Sequence, residues 1–175
     1  MFILIIGTPG CGKSEKAEEL LLRLSEEGER IYIATMIPFG PEGEERIRKH
    51  RKMREGKGYI TIEQQRSIER VNVPKNSGVL IECLGNLCAN EMFVDGEIFE
   101  PAYKIVNGIK SLSERVAEVI IVTNEIGCDG IDYSPETLLY ISQLAEINRR
   151  IAEFSDNVIE CVYGIPLLRK GALFC

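Results

Sequence analysis

Apolar residues in this chain cluster in short runs, with longer amphipathic or charged stretches between them. Phe2–Ile6 is apolar at every position, and Val79-Leu80-Ile81, Val119–Val122 and Val158–Val162 are runs of the same kind. Such runs suit strands covered on both faces. Ile31-Tyr32-Ile33 reads as a further strand. Residues 13–27 read as a helix, with Ala17, Leu20, Leu21 and Leu24 on one stripe and Gly28 ending it. Residues 42–57 keep helical character but are almost wholly charged, which puts that segment on the surface. Further helices are expected near 100–117 and 135–154. Strands alternating with helices imply right-handed crossovers, hence an α/β fold with a mostly parallel sheet flanked by helices. The chain shows no repeat, low-complexity tract or flexible linker, so residues 1–175 are expected to form a single nucleotide-binding catalytic domain.

Composition narrows the function classes. With 45% hydrophobic and 27% charged residues over 175 positions, the chain can build an ordinary globular core. A net charge of −6 argues against a general nucleic-acid partner. The apolar start is cut short by Gly7-Thr8-Pro9-Gly10, too early for a membrane span, and it lacks the basic lead of a signal peptide. The six cysteines are scattered, with no CxxC pair and one histidine as co-ligand. That is neither a zinc pattern nor a disulfide framework, and a reducing cytoplasm is expected.

The strongest local signal is Gly7-Thr8-Pro9-Gly10-Cys11-Gly12-Lys13-Ser14, which meets the P-loop pattern G-x-x-x-x-G-K-[ST]. A strand before it and a helix after it supply the required context. The glycines let successive N–H groups converge on an anion, and the following helix adds its positive end. Lys13 is expected on the β- and γ-phosphates, and Ser14 on Mg²⁺. These features imply a P-loop NTPase (RecA-like) architecture. A carboxylate should complete the magnesium site: Glu82, after Val79-Leu80-Ile81, is one candidate and Glu125 is its rival.

The single histidine, His50, lies within Arg46-Ile47-Arg48-Lys49-His50-Arg51-Lys52-Met53-Arg54. On a helix Arg46 and Arg54 sit one turn to either side, and packed cations lower the ring's pKa. A neutral imidazole is a competent nucleophile, and the cations would stabilise charge on an attacked phosphate. Spacing alone favours a solvated helix face that carries one exposed histidine.

Taken together these residues resemble a family. The P-loop, Tyr32-Ile33-Ala34-Thr35, Arg46-Ile47-x-x-His50-x-x-x-Arg54, Thr61-x-Glu63, Leu80-Ile81-Glu82-Cys83-Leu84, Thr123-Asn124-Glu125-Ile126-Gly127 and Gly164-Ile165-Pro166-Leu167 follow one another in its order. The chain looks like the bifunctional adenosylcobinamide kinase/adenosylcobinamide-phosphate guanylyltransferase family of cobalamin biosynthesis. The resemblance implies two steps: phosphorylation of the aminopropanol hydroxyl of a corrinoid by ATP or GTP, then GMP transfer from GTP through a histidine, with release of pyrophosphate. It places that histidine at His50, with Lys13 as catalytic partner. Nucleotide contacts carry over to Gly7, Thr8, Pro9, Gly10, Cys11, Gly12, Lys13 and Ser14, and to Ala34, Thr35 and Met36. They carry over also to Arg51, Lys52, Met53 and Arg54, and to Glu63 and Glu82. A homotrimer is implied as well.

The chain departs from the family at Gly10, where an Arg is usual, and at Tyr59, where a Trp precedes Thr61-x-Glu63. It departs again over Gly130–Pro135 and Ile147-Asn148-Arg149-Arg150. A nucleoside monophosphate or small-metabolite kinase is the first rival, favoured by the Thr8-Pro9-Gly10 start and disfavoured by the lack of an Arg-rich lid. A regulatory NTPase is the second, and no Asn-Lys-x-Asp element supports it.

Overall fold

A computed structural model describes residues 1–25 and 28–172. Among the described residues, nine strands and five α-helices follow one another as β1 (Phe2–Ile6), α1 (Lys13–Leu24), β2 (Arg30–Ala34), α2 (Gly40–Arg54), β3 (Tyr59–Glu63), β4 (Gly78–Glu82) and α3 (Leu84–Met92). Then come β5 (Phe93–Val94), β6 (Glu97–Ile98), α4 (Ala102–Ser113), β7 (Glu118–Val122), α5 (Pro135–Phe154), β8 (Asn157–Val162) and β9 (Ile165–Lys170). Seven strands form one sheet in the order β3-β2-β4-β7-β1-β8-β9, and only β9 runs antiparallel to its neighbour. The mostly parallel α/β sheet expected from the alternating runs is therefore present.

Its central strands are continuous apolar runs because both faces are covered. Phe2 and Leu4 of β1 pack with Leu87 of α3, Ile105 and Ile109 of α4, and Leu144 and Ile147 of α5. Ile3 and Ile5, pointing the other way, meet Ala17, Leu20 and Leu21 of α1. The period of two along the strand thus assigns α1 to one face and α3–α5 to the other.

Several boundaries differ from the sequence reading. α1 ends at Leu24, not residue 27, with the buried Ser25 N–H returning to the Leu21 carbonyl at 2.9 Å. Residues 26 and 27 lie outside the described residues. α2 starts at Gly40 and stops at Arg54, with Pro41 in its first turn, where its missing N–H costs nothing. Gly56 (φ 75°) and Gly58 (φ 71°) then turn the chain into β3. Sequence reasoning assigned no element to β3, α3, β9 or the β5–β6 hairpin. β3 is an edge strand with two of its three inner positions exposed, α3 carries the poor helix formers Gly85 and Asn86, and β9 holds Pro166 on the opposite edge. No described helix is long and apolar enough to cross a membrane.

Candidate functional site

Six strands, β1, β2, β3, β4, β7 and β8, bring their carboxyl ends to one rim of the sheet, where parallel α/β proteins hold ligands. Chain leaving β1 forms the P-loop. Gly10 (φ 78°) and Gly12 (φ 89°) take the left-handed region, and Gly12 leads directly into α1. A Cβ on Gly7 would stand 2.6 Å from both Cys11 Sγ and the Cys161 carbonyl, so only glycine fits beneath the loop. The Cys11 side chain is buried in the core, and its carbonyl accepts from Cys161 Sγ at 3.0 Å and from the Gly164 N–H at 2.8 Å. Lys13 is buried, and its Nζ donates to the Thr8 carbonyl at 2.8 Å across the loop.

Ser14, the first-turn hydroxyl of α1, donates to Glu82 Oε1 at 2.5 Å. Glu82 terminates β4, level with Ala34 of β2 and Val122 of β7. Burial pushes its carboxyl up to about 7, with the Ser14 hydrogen bond and Lys13 opposing. Its Oε2 is buried without a hydrogen-bond partner. The hydroxyl and this unpartnered oxygen form a hard-oxygen pair of the kind that suits Mg²⁺. The rival Glu125 is exposed, and its backbone N–H donates to the Gly7 carbonyl at 3.2 Å.

α2 is mostly exposed, but Gly43, Ile47, His50 and Arg54 form its inward stripe. His50 and the P-loop line one cleft of about 540 Å³ that contains Pro9, Gly10, Gly12, Lys13, Ser14, Glu82 and Met53. Burial is the main cause that lowers the His50 pKa; Arg54, Arg46, Lys49 and Lys13 add to it. The neighbouring cations, the cause expected from the sequence, are thus the smaller contribution. His50 Nδ1 is buried without a partner.

Beyond His50 lies an inner cavity lined by Tyr32, Ala34, Met36, Arg51, Arg54, Thr61 and Glu63, and it shares Arg46, His50, Glu82 and Cys83 with the cleft. His50 thus stands between two compartments. Arg51 pairs with Glu63 at 2.7 Å, tying α2 to the end of β3. The Arg54 guanidinium lies 3.4 Å above the Tyr32 ring, with Nε and Nη1 unpartnered. Behind it, fully buried Glu18 of α1 pairs with Lys57 at 2.7 Å, and the Tyr59 hydroxyl donates to the Glu18 carbonyl at 3.0 Å. These contacts fix α2 and β3 to the P-loop helix.

Five of the expected contact residues line neither space: Gly7 and Thr8, which lie in the P-loop itself, and Cys11, Thr35 and Lys52. Thr35 is fully buried, with its hydroxyl donating to the Cys83 carbonyl at 2.9 Å, so it shapes the rim. Cys11 contributes backbone, not its thiol. Lys52 is exposed and faces an open groove beside Arg48 and Tyr59. Conversely, Val122 and Asn124 line the cleft, and Tyr32, Thr61 and Asn86 line the cavity, without having been singled out as site residues. Their signal was positional: each but Asn86 lies on, or just after, a strand that reaches the rim.

Such an arrangement can hold a polyphosphate on the P-loop and set a neutral imidazole against one end of it. Comparison with known proteins gives the fold and the family. A TM-score of 0.53 at 13% identity relates the chain to the ATPase domain of G40P, over 91% of this chain and 68% of that one. The flagellar accessory protein FlaH from Methanocaldococcus jannaschii gives 0.52 at 13% identity, over 97% and 78%. Both share the fold of this chain. At the level of sequence, the chain is 27% identical to the "Bifunctional adenosylcobalamin biosynthesis protein CobU" of Escherichia coli, over 97% of this chain and all of that protein. It is 28% identical to the CobP protein of the same description from Pseudomonas aeruginosa, over 96% of each. Residues 3–168 match the family described as cobinamide kinase / cobinamide phosphate guanyltransferase, and the chain belongs to that family.

Proposed function

We propose that this protein phosphorylates adenosylcobinamide and then transfers GMP from GTP to the resulting phosphate through a guanylyl group carried on His50. The observation that carries the reading is the common cleft: His50, Lys13 and Ser14 line the same space. With the β- and γ-phosphates on the P-loop, the α-phosphate of GTP comes within reach of the ring. A His50 nitrogen attacks the α-phosphorus, the bond to the bridging oxygen breaks, and pyrophosphate leaves along Lys13. The N–P bond is then broken by a phosphate oxygen of the corrinoid phosphate, which takes the GMP and restores the imidazole. Lys13, Arg46 and Lys49 offset negative charge during both displacements. Burial keeps the ring neutral and nucleophilic near pH 7.

Ser14 and Glu82 would hold Mg²⁺, which when bound neutralises the triphosphate and steadies the leaving group. The unpartnered Glu82 Oε2 supports that assignment. In the kinase step the same loop presents the γ-phosphate, from ATP or GTP, to the corrinoid hydroxyl. The proposal includes a single catalytic domain acting in the cytoplasm, which the free thiols of Cys11, Cys83, Cys88, Cys128 and Cys161 favour, and assembly as a homotrimer, which the family resemblance favours.

The test is covalent trapping. Protein incubated with GTP radiolabelled at the α-phosphate and then denatured should carry acid-labile label, and His50→Ala should carry none. Folded wild-type protein that phosphorylates cobinamide but never takes up label would remove the guanylyl-transfer half and leave a kinase.

A further inference from the structure

The two half-reactions place opposite demands on a single P-loop. For transfer to His50 the α-phosphate must face the ring, so the nucleoside lies on the inner-cavity side of it. For the kinase step the γ-phosphate must face the open cleft, so the nucleoside must leave the loop at its other end. A second cleft of about 480 Å³ adjoins the loop, sharing Gly12 and Glu15 with the first and lined also by Lys16, Glu19, Leu22, Lys57 and Gly164.

Gly164, which lines this second cleft, belongs to the turn between β8 and β9, and Tyr163 is its neighbour in that turn. Val162 pairs with Ile165, so the loop is the two residues Tyr163 (φ 50°) and Gly164 (φ 80°), both left-handed. That is the geometry of a primed hairpin turn, where Asn-Gly is the favoured pair and a bulky aromatic is strained. The turn is docked on the P-loop: the Gly164 N–H donates to the Cys11 carbonyl at 2.8 Å, and a Cβ on Gly12 would meet Gly164 Cα at 3.4 Å. Tyr163 is 95% exposed, so the ring has no structural contact that repays the strain.

We infer that the Tyr163–Gly164 turn is the nucleoside subsite for the kinase step, with the Tyr163 ring stacking on the purine of a triphosphate whose γ-phosphate faces the cleft. The inference rests on the two-step reading. Stacking reads the face of a base and not its edge, so such a subsite accepts adenine and guanine alike, whereas the inner cavity, with Thr61, Glu63 and Asn86, offers edge-reading groups for guanine.

Direct binding tests it. With Mg²⁺ present, the affinities of the ATP analogue AMP-PNP and of inorganic tripolyphosphate are measured by titration calorimetry for wild type, Tyr163→Ala and Tyr163→Phe. Tyr163→Ala should weaken AMP-PNP about 5- to 100-fold and leave tripolyphosphate unchanged, and Tyr163→Phe should match wild type. A loss below about fivefold for AMP-PNP, or an equal loss for tripolyphosphate, overturns the subsite. Wild type that binds AMP-PNP in this Tyr163-dependent way yet phosphorylates no adenosylcobinamide overturns the kinase reading and leaves the subsite standing.

Discussion

Glu82→Gln should make the magnesium-free, nucleotide-free protein more stable, and increasingly so as the pH rises. In the unfolded chain the carboxyl titrates near 4.5; in the folded protein burial holds it up to about 7. Between those values the folded state keeps a proton that the unfolded state has released, so the wild type loses stability as pH climbs through that window. The interval, at about 1.36 kcal/mol per pH unit, amounts to about 3 kcal/mol by pH 8. A glutamine side chain at this position is neutral at every pH and still offers an oxygen to the Ser14 hydroxyl, so the variant escapes the loss. Urea melts followed by far-ultraviolet circular dichroism, in EDTA at pH 4.5, 6, 7 and 8, would read the gap directly. It should be near zero at pH 4.5 and approach ~3 kcal/mol at pH 8, which corresponds to roughly 6–12 °C in Tm for a chain of this size. Saturating Mg²⁺ with nucleotide should close it, because those ligands stabilise the charged wild-type site. A gap that stays flat with pH, or a glutamine variant less stable than wild type at pH 8, would refute the view that Glu82 is a buried carboxylate reserved for a cation.

Other consequences can be checked separately. Because the His50 pKa lies below its ordinary 6.5, the single-turnover rate of labelling from GTP should stay level from pH 8 to 6.5 and bend only below that; a bend near 7 or higher would contradict a ring neutralised by burial. Glu18→Gln removes the partner of Lys57 at a fully buried position, which should cost about 3 kcal/mol in urea unfolding and slow labelling more than cobinamide phosphorylation. Gly12→Ala forces a side chain into φ 89°, against the Gly164 backbone. It should cost about 1–2 kcal/mol and weaken tripolyphosphate binding by calorimetry, whereas Gly10→Ala, with open space around it, should spare packing.

How much of this the sequence disclosed depended on whether the signal was local. The P-loop is a contiguous device, a strand, a glycine turn and a helix, so Gly7–Ser14 could be read from spacing. Strand ends could be read too, because a run that must be buried on both faces has an unmistakable composition, and Glu82 followed from one of them. Whether Glu82 or Glu125 faces Ser14 could not be read, since that choice depends on β4 and β7 being neighbours in the sheet. The burial of His50 was hidden for a similar reason. α2 looks like a solvated helix because its stripe contains Gly43, His50 and Arg54, and these become inward-facing only when Tyr32 supplies a ring for Arg54 and Glu18 supplies a counter-ion for Lys57. β9 was missed because an edge strand that faces solvent keeps no hydrophobic alternation.

The departure at Gly10 gains a physical meaning from the cleft. An arginine is usual there in the family this chain resembles, whereas here the residue sits at φ 78° with nothing within 4 Å of where a Cβ would stand. The space is therefore not filled by a substitute from the same loop, and the glycine is retained in a conformation that a side chain would strain. The cleft's positive charge comes from Lys13 in the loop and from Arg46 and Lys49 on α2. In the proposed reaction, charge supplied by α2 reaches the α-phosphate side of the triphosphate, beside His50, more directly than charge supplied from the loop crest. In the proposed guanylyl transfer the electrostatics of the cleft therefore depend on the seating of α2. On the proposed function, the Glu18–Lys57 pair and the Arg54–Tyr32 stack that seat it serve the transfer as much as the basic residues themselves do.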